Sequence, residues 1–207
     1  MTAPMTTRAP DPVAAAVAAL ARACPDWAAV AGAAPGCVAC PELAETRTSV
    51  VVGAAPPGAR LLVLGEAPGA QEDESGLPFV GRSGQLLDLL LAEAGGDRAR
   101  TAVLNTLKCR PPGNRPPKPA ESARCRGWTE RQLALLAPDV VVTLGLSATR
   151  WFLGPVALGA VRGRVHEVAG ARVLPTYHPS AALRHGPAGD PRRLLAEDLA
   201  LAVRLTS

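Results

Sequence analysis

The chain has 207 residues, of which 48% are hydrophobic and 19% are charged, and its formal net charge at pH 7 is +4. This length and apolar content exclude a disordered chain and suit one α/β domain with a substantial core. The charge is unevenly distributed, because residues 61–100 carry three basic and seven acidic side chains whereas residues 101–135 carry seven basic and two acidic ones. The second segment is therefore either a phosphate-binding surface or a solvated basic face.

The first predicted element is a helix at residues 12–23, since Pro12 suits the first helical position and Asp11 can cap it. The alanine-rich run within this helix is too short to cross a bilayer and is interrupted by Arg22. We therefore expect a cytoplasmic protein with no membrane partner. Residues 1–30 are predicted to form an N-terminal extension and helix, and residues 31–207 a single domain.

A glycine- and proline-rich segment at residues 31–41 is predicted to be a loop, and it ends in two closely spaced cysteines. Four cysteines have a spacing that suits a soft metal: Cys37, Cys40, Cys109 and Cys125. Thiolates from distant parts of a chain can meet around zinc or an iron–sulfur cluster, which would then order the loop. The alternative is that they are small core residues, which is the interpretation we favour for Cys24. An odd cysteine count argues against a disulfide framework.

From residue 61 onward, short apolar runs alternate with helical patterns. The runs cover residues 61–65, 101–105, 139–145 and 172–177. The helical patterns cover residues 82–94, 119–136, a segment through Trp151 and 191–204. Buried strands that alternate with helices indicate a parallel sheet covered on both faces. We therefore predict an α/β fold, a three-layer α/β/α sandwich with a central four-stranded, mostly parallel sheet.

The unusual side chains of the sequence follow the predicted strands directly. Glu66 and Phe79 lie in a glycine-rich segment after the first strand, Asn105 ends the second, Gly145 follows the third and His178 follows the fourth. Because crossovers are right-handed, the carboxyl ends of parallel strands lie at one edge of the sheet, where sites of open α/β sheets form. The convergence of these residues predicts a functional site.

These side chains suit recognition of a flat heterocycle. A phenyl ring in a loop, such as Phe79, can stack on a base, and the amide of Asn105 can both donate and accept on a pyrimidine edge. Pro179 restricts the backbone of His178, so the imidazole is presented rigidly. Each has a structural alternative: Phe79 as a loop anchor, Asn105 as a turn residue and His178 as an ordinary loop side chain.

Five motifs, in order and spacing, resemble those of the family 4 uracil-DNA glycosylases, which are base-excision-repair enzymes with a 4Fe-4S cluster. The motifs are Gly65-Glu-Ala-Pro-Gly69, Glu72-Asp73, Gly76-Leu-Pro-Phe-Val-Gly-Arg-Ser-Gly84, Asn105-Thr-Leu-Lys-Cys-Arg-Pro-Pro-Gly-Asn114 and His178-Pro-Ser180. The resemblance extends from Cys37 to the C-terminus. It implies an enzyme that hydrolyses the N-glycosidic bond of uracil in single- or double-stranded DNA, releasing free uracil and leaving an abasic site. We expect it to act as a monomer.

The resemblance also implies roles for individual residues. The 4Fe-4S cluster would be held by Cys37, Cys40, Cys109 and Cys125. Phe79 would stack on the flipped uracil, Asn105 would recognise its pairing edge and His178 would contact its O2 atom. Asn114 matches a further polar position of the substrate site. Asn105 and His178 are thus expected to act in catalysis as well as in binding.

Two loops complete the site that the resemblance implies. Glu66, Ala67 and Gly69 belong to the loop over the scissile bond, and Glu66 is the third residue expected to act in catalysis. Many related glycosylases have Asp or Asn where this chain has Ala67, so Glu66 is expected either to help position the water or to support the loop instead. Leu183 and Arg184 match the element that enters the minor groove and fills the gap in the base stack.

The basic side chains of Lys108, Arg110 and Arg115 are predicted to hold phosphates. Two other functions remain open on the sequence. One is a non-catalytic nucleic-acid-binding module stapled by zinc or by a cluster, which explains the cysteines and the basic segment but not the convergence at the strand ends. The other is a different hydrolase on the same scaffold, since a fold does not fix a function.

Overall fold

The computed structural model describes residues 11–186 and 188–206. Its strands are β1 (Leu61–Gly65), β2 (Thr101–Asn105), β3 (Val140–Leu144), β4 (His166–Val168) and β5 (Ala171–Thr176). The α-helices of the described residues are α1 (Pro12–Ala23), α2 (Trp27–Ala33), α3 (Pro41–Thr46), α4 (Ala70–Ser75), α5 (Arg82–Glu93), α6 (Pro119–Leu136), α7 (Gly145–Leu153), α8 (Leu158–Val161), α9 (Pro179–His185) and α10 (Asp190–Thr206).

The strands form one sheet in the order β2-β1-β3-β5-β4. β1 pairs in parallel with both β2 and β3, and β3 pairs in parallel with β5. The predicted fold class is confirmed, and the carboxyl ends of these four strands share one edge. The predicted number of strands is wrong, because β4 adds a fifth, antiparallel to β5. This strand has only three residues and no buried side chain, so it carries no apolar run that the sequence would reveal.

The core lies on both faces of the sheet. Along β1, Leu61 and Val63 pack towards α5, α9 and α10, whereas Leu62 and Leu64 pack towards α6 and α7. Alternate side chains of a strand point to opposite faces, so a strand that is covered on both faces must be apolar throughout. This explains why the parallel strands appear in the sequence as unbroken apolar runs.

The N-terminal helices pack against α6 and enclose the cysteines in a separate core. Asp11 caps α1 as predicted, with its carboxylate accepting from Val13 N at 2.9 Å. The predicted loop at residues 31–41 is wrong in part, because it includes the end of α2 and a 3₁₀ turn at Ala34–Gly36. Asp26 caps α2 by accepting from Ala29 N at 2.8 Å, and the alanines that follow sustain the helix despite the glycine.

Residues 1–10 of the predicted N-terminal extension lie outside the described residues. Within the described ranges, no helix has the length and hydropathy needed to cross a bilayer.

Candidate active site

A cavity of about 540 Å³ opens at the carboxyl edge of the sheet, and we call it the strand-end cavity. Its volume is in the usual range for small-ligand sites. It brings together eight of the residues that the sequence predicts for the site: Glu66, Ala67, Gly69, Phe79, Asn105, Asn114, His178 and Arg184. Leu183 does not line the cavity; it lies beside Arg184 on α9 with 36% of its surface exposed.

Asn105 is the last residue of β2, where it lies opposite Gly65 of β1. Its side chain is only 2% exposed, and its Oδ1 atom has no hydrogen-bond partner among the described residues. Leaving a buried polar atom unpaired costs about 1–3 kcal/mol. An unpaired amide oxygen in the wall of a cavity is therefore best explained by a ligand that supplies the missing donor.

Phe79 is held in a backbone conformation that a phenylalanine rarely adopts, with φ of 55°. Two glycines permit it. A Cβ at Gly65 would lie 2.6 Å from Phe79 Cζ, and a side chain at Gly84 would overlap the Phe79 carbonyl. Arg98 Nη2 donates to Pro78 O at 2.9 Å and so fixes the residue that precedes Phe79. Non-glycine residues with positive φ cost free energy and cluster at functional sites. The conformation of Phe79 is therefore consistent with a functional role for its ring in the wall of the cavity.

Glu72 organises the loops around the phenyl ring, a role that the sequence did not predict. Its Oε1 atom accepts from Val80 N at 2.9 Å and from Gly81 N at 2.8 Å, while Oε2 accepts from Gly69 N at 3.0 Å. One carboxylate thus joins the loop after β1 to the loop that carries Phe79. A glutamate at the third position of a short helix is a capping signal that would have pointed to it.

His178 precedes α9 and caps it. Its Nδ1 atom accepts from Ser180 N at 3.1 Å and lies 2.9 Å from Ser180 Oγ. Because Nδ1 accepts a backbone N–H, the neutral ring carries its proton on Nε2, which remains free to donate to a ligand. Burial, and then the charge of Arg184, lower the His178 pKa to about 4, against an opposing effect of Glu72. The imidazole is therefore neutral at pH 7, and its centroid lies 6.0 Å from that of Phe79.

The loop after β1 is fixed by its backbone. The Glu66 carbonyl accepts from Leu107 N at 2.9 Å and from Thr106 Oγ1 at 2.8 Å. The Glu66 carboxylate lines the cavity and makes no hydrogen bond to any other described residue. Ala67 lines the same wall and also packs against the core that encloses the cysteines. A rigid loop therefore presents one uncommitted carboxylate to the cavity.

The four cysteines of the predicted metal site line one small cavity: Cys37, Cys40, Cys109 and Cys125. Arg47 Nη1 donates to Cys109 Sγ at 3.2 Å. Burial raises the pKa of Cys40 to about 11 and that of Cys125 to about 12, so these thiols need the charge of a metal to ionise. Within residues 11–186 and 188–206, no three His, Cys, Asp or Glu side chains are grouped tightly enough to hold a single metal ion. Cys24 lies outside the small cavity, with its Sγ atom 3.6 Å from Leu20 O.

Comparison with known proteins identifies the family. The family model of the Uracil DNA glycosylase superfamily matches residues 52–200. A Type-4 uracil-DNA glycosylase of Thermotoga maritima is 43% identical over 166 residues, which cover 79% of this chain and 85% of the relative. One of Archaeoglobus fulgidus is 39% identical over 151 residues, covering 69% and 76%. The chain belongs to the type-4 uracil-DNA glycosylase family. The resemblance carried by the five motifs is thus confirmed.

The chain is also similar to a uracil-DNA glycosylase of another type. A Type-5 uracil-DNA glycosylase of Thermus thermophilus is 36% identical over 160 residues, which cover 70% of this chain and 66% of the relative.

One prediction for the basic segment of this type-4 family member is wrong. Lys108 does not hold phosphate, because it is buried and its Nζ atom donates to the Asn105 carbonyl. Arg115 forms a bidentate pair with Glu121, at 2.6 and 2.9 Å, and Arg110 donates to Asn114 Oδ1 at 2.7 Å. Arg110 and Arg115 are thus paired within the loop after β2 but remain partly exposed, and Arg115 also lines the strand-end cavity.

Proposed function

We propose that this protein is a DNA repair enzyme that hydrolyses the N-glycosidic bond of uracil in DNA, releasing free uracil and leaving an abasic site. The observation that carries the proposal is the convergence of Phe79, Asn105 and His178 in one cavity, beside an amide oxygen that lacks a partner. Membership in the type-4 family supports the same activity.

Base recognition would begin with extrusion of the uracil from the helix, since its glycosidic bond is inaccessible inside a stacked duplex. The ring of Phe79 offers a stacking surface, which typically contributes about 1–3 kcal/mol per base. The Asn105 amide would donate to O4 of uracil and accept from N3–H. Cytosine presents the opposite pattern on that edge, with a donor at N4 and an acceptor at N3, so the same amide would disfavour it.

His178 would stabilise the departing base. Cleavage of the bond leaves a cation-like sugar and a uracil anion, and negative charge develops on O2. A neutral imidazole with its proton on Nε2 can donate there, and Ser180 maintains that tautomer through Nδ1. Because the charge on O2 is greater in the transition state than in the bound substrate, this donor would lower the barrier rather than only tighten binding.

The remaining steps would be served by the loops. We assign Glu66 to hold the attacking water, since its carboxylate lines the cavity and has no partner among the described side chains. Ala67 and Gly69 would pack against the sugar, and Asn114 would contribute a polar contact at the rim. Leu183 and Arg184 would enter the minor groove and fill the gap in the base stack, with Leu183 as the apolar wedge.

The four cysteines would hold a 4Fe-4S cluster, which supplies a structural crosslink when bound. Their donor set suits it, because four thiolates are the usual ligands of such clusters. Cys37 and Cys40 lie in the N-terminal helical layer, Cys109 follows β2 and Cys125 lies on α6. A cluster at this point would therefore fasten the N-terminal layer to the loop that follows Asn105. Zinc is the alternative occupant, although the described side chains are not grouped tightly enough to hold a single ion.

A protein with a bound 4Fe-4S cluster is expected to be brown. Replacing Cys109 by serine should remove this colour and lower the melting temperature, because metal binding and folding are coupled. The measurement is absorbance at about 400 nm, where iron–sulfur thiolate bonds absorb, together with iron content and thermal unfolding. Cys24→Ser is the matched control and should keep the colour. Absorbance equal to wild type in Cys109→Ser would remove that ligand from the set, and a colourless wild-type protein with stoichiometric zinc would contradict the cluster.

Gly65→Ala is expected to lower the rate of uracil release by at least about tenfold, since a misplaced site commonly costs that much or more. The added methyl would meet Asn105 Oδ1 and the Phe79 ring together. Gly32→Ala, on α2 with no atom within 4 Å of the new methyl, is the matched control. Both variants are measured by single-turnover release, and equal rates would show that this close approach does not matter.

The proposed function is tested with oligonucleotides that carry a single uracil opposite guanine, opposite adenine or in a single strand. We expect free uracil and an alkali-labile abasic site from all three, and neither product from matched oligonucleotides with thymine or cytosine. We propose that residues 31–207 act as one glycosylase domain, because the residues that line the cavity all lie in this segment, and that the protein acts as a monomer. If intact protein with a full cofactor complement released no uracil, the proposed glycosylase activity would be wrong, and the non-catalytic nucleic-acid-binding module would be the remaining function.

A further inference from the structure

Lys108 connects the cysteine site to the strand-end cavity by two separate hydrogen bonds. Its backbone N–H donates to Cys125 Sγ at 3.3 Å, and its side-chain Nζ donates to the Asn105 carbonyl oxygen at 2.6 Å. The side chain is only 1% exposed. Lysine is almost never buried to this extent unless its charge is compensated, so the position of this ammonium group requires an explanation.

The Asn105 carbonyl has no partner in the sheet. The backbone N–H of Thr106 donates to Gly65 O, so the backbone of residue 106 faces β1. Because backbone groups of successive residues alternate in direction along a strand, those of residues 103 and 105 face away from β1. β2 is an edge strand of the sheet. The backbone of Val103 is completed on this outer side by Ala54, with which it exchanges hydrogen bonds of 2.8 and 2.9 Å. At Asn105, the Lys108 ammonium takes the place of that neighbouring strand.

We propose that Lys108 is a positioning residue that makes the orientation of the Asn105 amide depend on the cysteine site. A charge-assisted hydrogen bond is stronger than a neutral one, so the ammonium fixes the end of β2 more firmly than a water would. The backbone N–H of the same residue donates to Cys125 Sγ, so a shift of this sulfur would move Lys108 and, with it, the end of β2.

The inference rests on the proposed role of Asn105, and it goes beyond the view that the cluster is only a crosslink. It predicts that Lys108 contributes to chemistry through Asn105 alone. A residue that merely stabilised the fold would add its effect to that of any active-site variant, because distant, independent substitutions are additive. A residue that acts through Asn105 would lose its effect once the amide is removed.

The test is a double-mutant cycle with Lys108→Met, Asn105→Ala and the double variant, all with cofactor content verified by absorbance and iron analysis. Lys108→Met is expected to lower the single-turnover rate constant by about 10–100-fold, the usual cost of misplacing a group at a site. Its affinity for DNA without uracil should equal that of wild type, and its absorbance per iron should be unchanged. In the Asn105→Ala background, Lys108→Met should change the rate by less than about threefold.

Two further measurements separate positioning from folding. Hydrogen exchange of the peptide over residues 103–108 should accelerate in cofactor-replete Lys108→Met, while exchange elsewhere in β1 and β3 is unchanged. Arg131→Met is the matched control, because Arg131 donates to Cys24 O at 2.7 Å and Pro25 O at 2.9 Å, outside the residues that line the strand-end cavity. It should lower the melting temperature and leave the rate constant of the folded protein unchanged.

If Lys108→Met does not fold, Lys108→Gln, which keeps a neutral donor, replaces it in the same cycle, with a smaller expected loss. The inference is overturned if the effects of the Lys108 and Asn105 variants on the rate are additive, or if Lys108→Met releases uracil at the wild-type rate. Failure of the proposed function gives a different result, because wild-type protein would then release no uracil and the cycle would have no starting value.

Discussion

Replacing His178 by alanine is expected to lower the single-turnover rate of uracil release by about 10²–10³-fold, which is the usual cost of removing one donor from a developing oxyanion. The loss should fall on the chemical step, because the donor meets its full charge only in the transition state. Affinity for uracil-containing DNA should change much less. The measurement is single-turnover cleavage with enzyme in excess, accompanied by a binding titration on the same oligonucleotide.

Ser180→Ala is the matched control for this variant. It keeps the backbone N–H that donates to His178 Nδ1 at 3.1 Å and removes only the hydroxyl group. The tautomer is therefore retained, and we expect a loss much smaller than that of His178→Ala. Equal losses in the two variants, or a wild-type rate in His178→Ala, would remove the imidazole from its assigned role.

The pH dependence follows from the same geometry. Because the His178 pKa is lowered to about 4, the imidazole stays neutral as the pH falls from 8 to 6, a range in which an ordinary histidine begins to gain a proton. The rate of uracil release should therefore show no inflection from His178 in that interval. His178 also makes the stability of the fold depend on pH. Its pKa is higher in the unfolded chain than in the folded protein, so the unfolded chain takes up the proton first. His178 therefore makes the fold less stable as the pH falls from the unfolded-state pKa towards the folded-state pKa of about 4.

Asn105→Ala should lower the rate of uracil release by at least about tenfold, since its amide would supply both pairing-edge hydrogen bonds to the base. The expected effect on stability is unusual. Asn105 Oδ1 is buried without a partner, so its removal should leave the free energy of unfolding within about 0.5 kcal/mol of wild type or raise it. Single-turnover release and denaturant unfolding measure the two quantities separately.

Gln132→Ala provides the contrasting control for Asn105. Gln132 is also a buried amide whose oxygen, Oε1, has no partner among the described residues, but its Nε2 atom donates to Val52 O at 2.8 Å, and it lies outside the set of residues that line the cavity. It should lose stability and keep the rate of the folded protein. If Asn105→Ala behaved in the same way as Gln132→Ala, Asn105 would be a structural amide, and the proposed recognition of the pairing edge would be wrong.

The edge of the sheet at which the strand-end cavity lies could be predicted, because its position depends on few physical rules. Asn105 and His178 follow apolar runs that are buried on both faces, and parallel pairing sends the carboxyl ends of such runs to one edge. The strand β4 could not be predicted, because a three-residue hairpin strand is specified by its pairing with β5 and not by an apolar pattern.

Electrostatic roles were less accessible from the sequence. Lys108 looked like a phosphate contact because it lies in a basic segment, but its environment is set by the packing of Cys125 and β2 around it. Glu72 had no assigned role because its three backbone partners come from two loops that only the fold brings together. Charge in a sequence predicts a net balance, whereas the partner of each charge is a tertiary property.

The central claim is that the strand-end cavity binds an extruded uracil, and a crystal structure of the cofactor-replete protein with free uracil tests it most directly. We predict a ring stacked on Phe79, with the Asn105 amide on its N3–O4 edge and His178 Nε2 within hydrogen-bond distance of O2. Uracil bound elsewhere, or bound in this cavity without contact to these three side chains, would contradict the account.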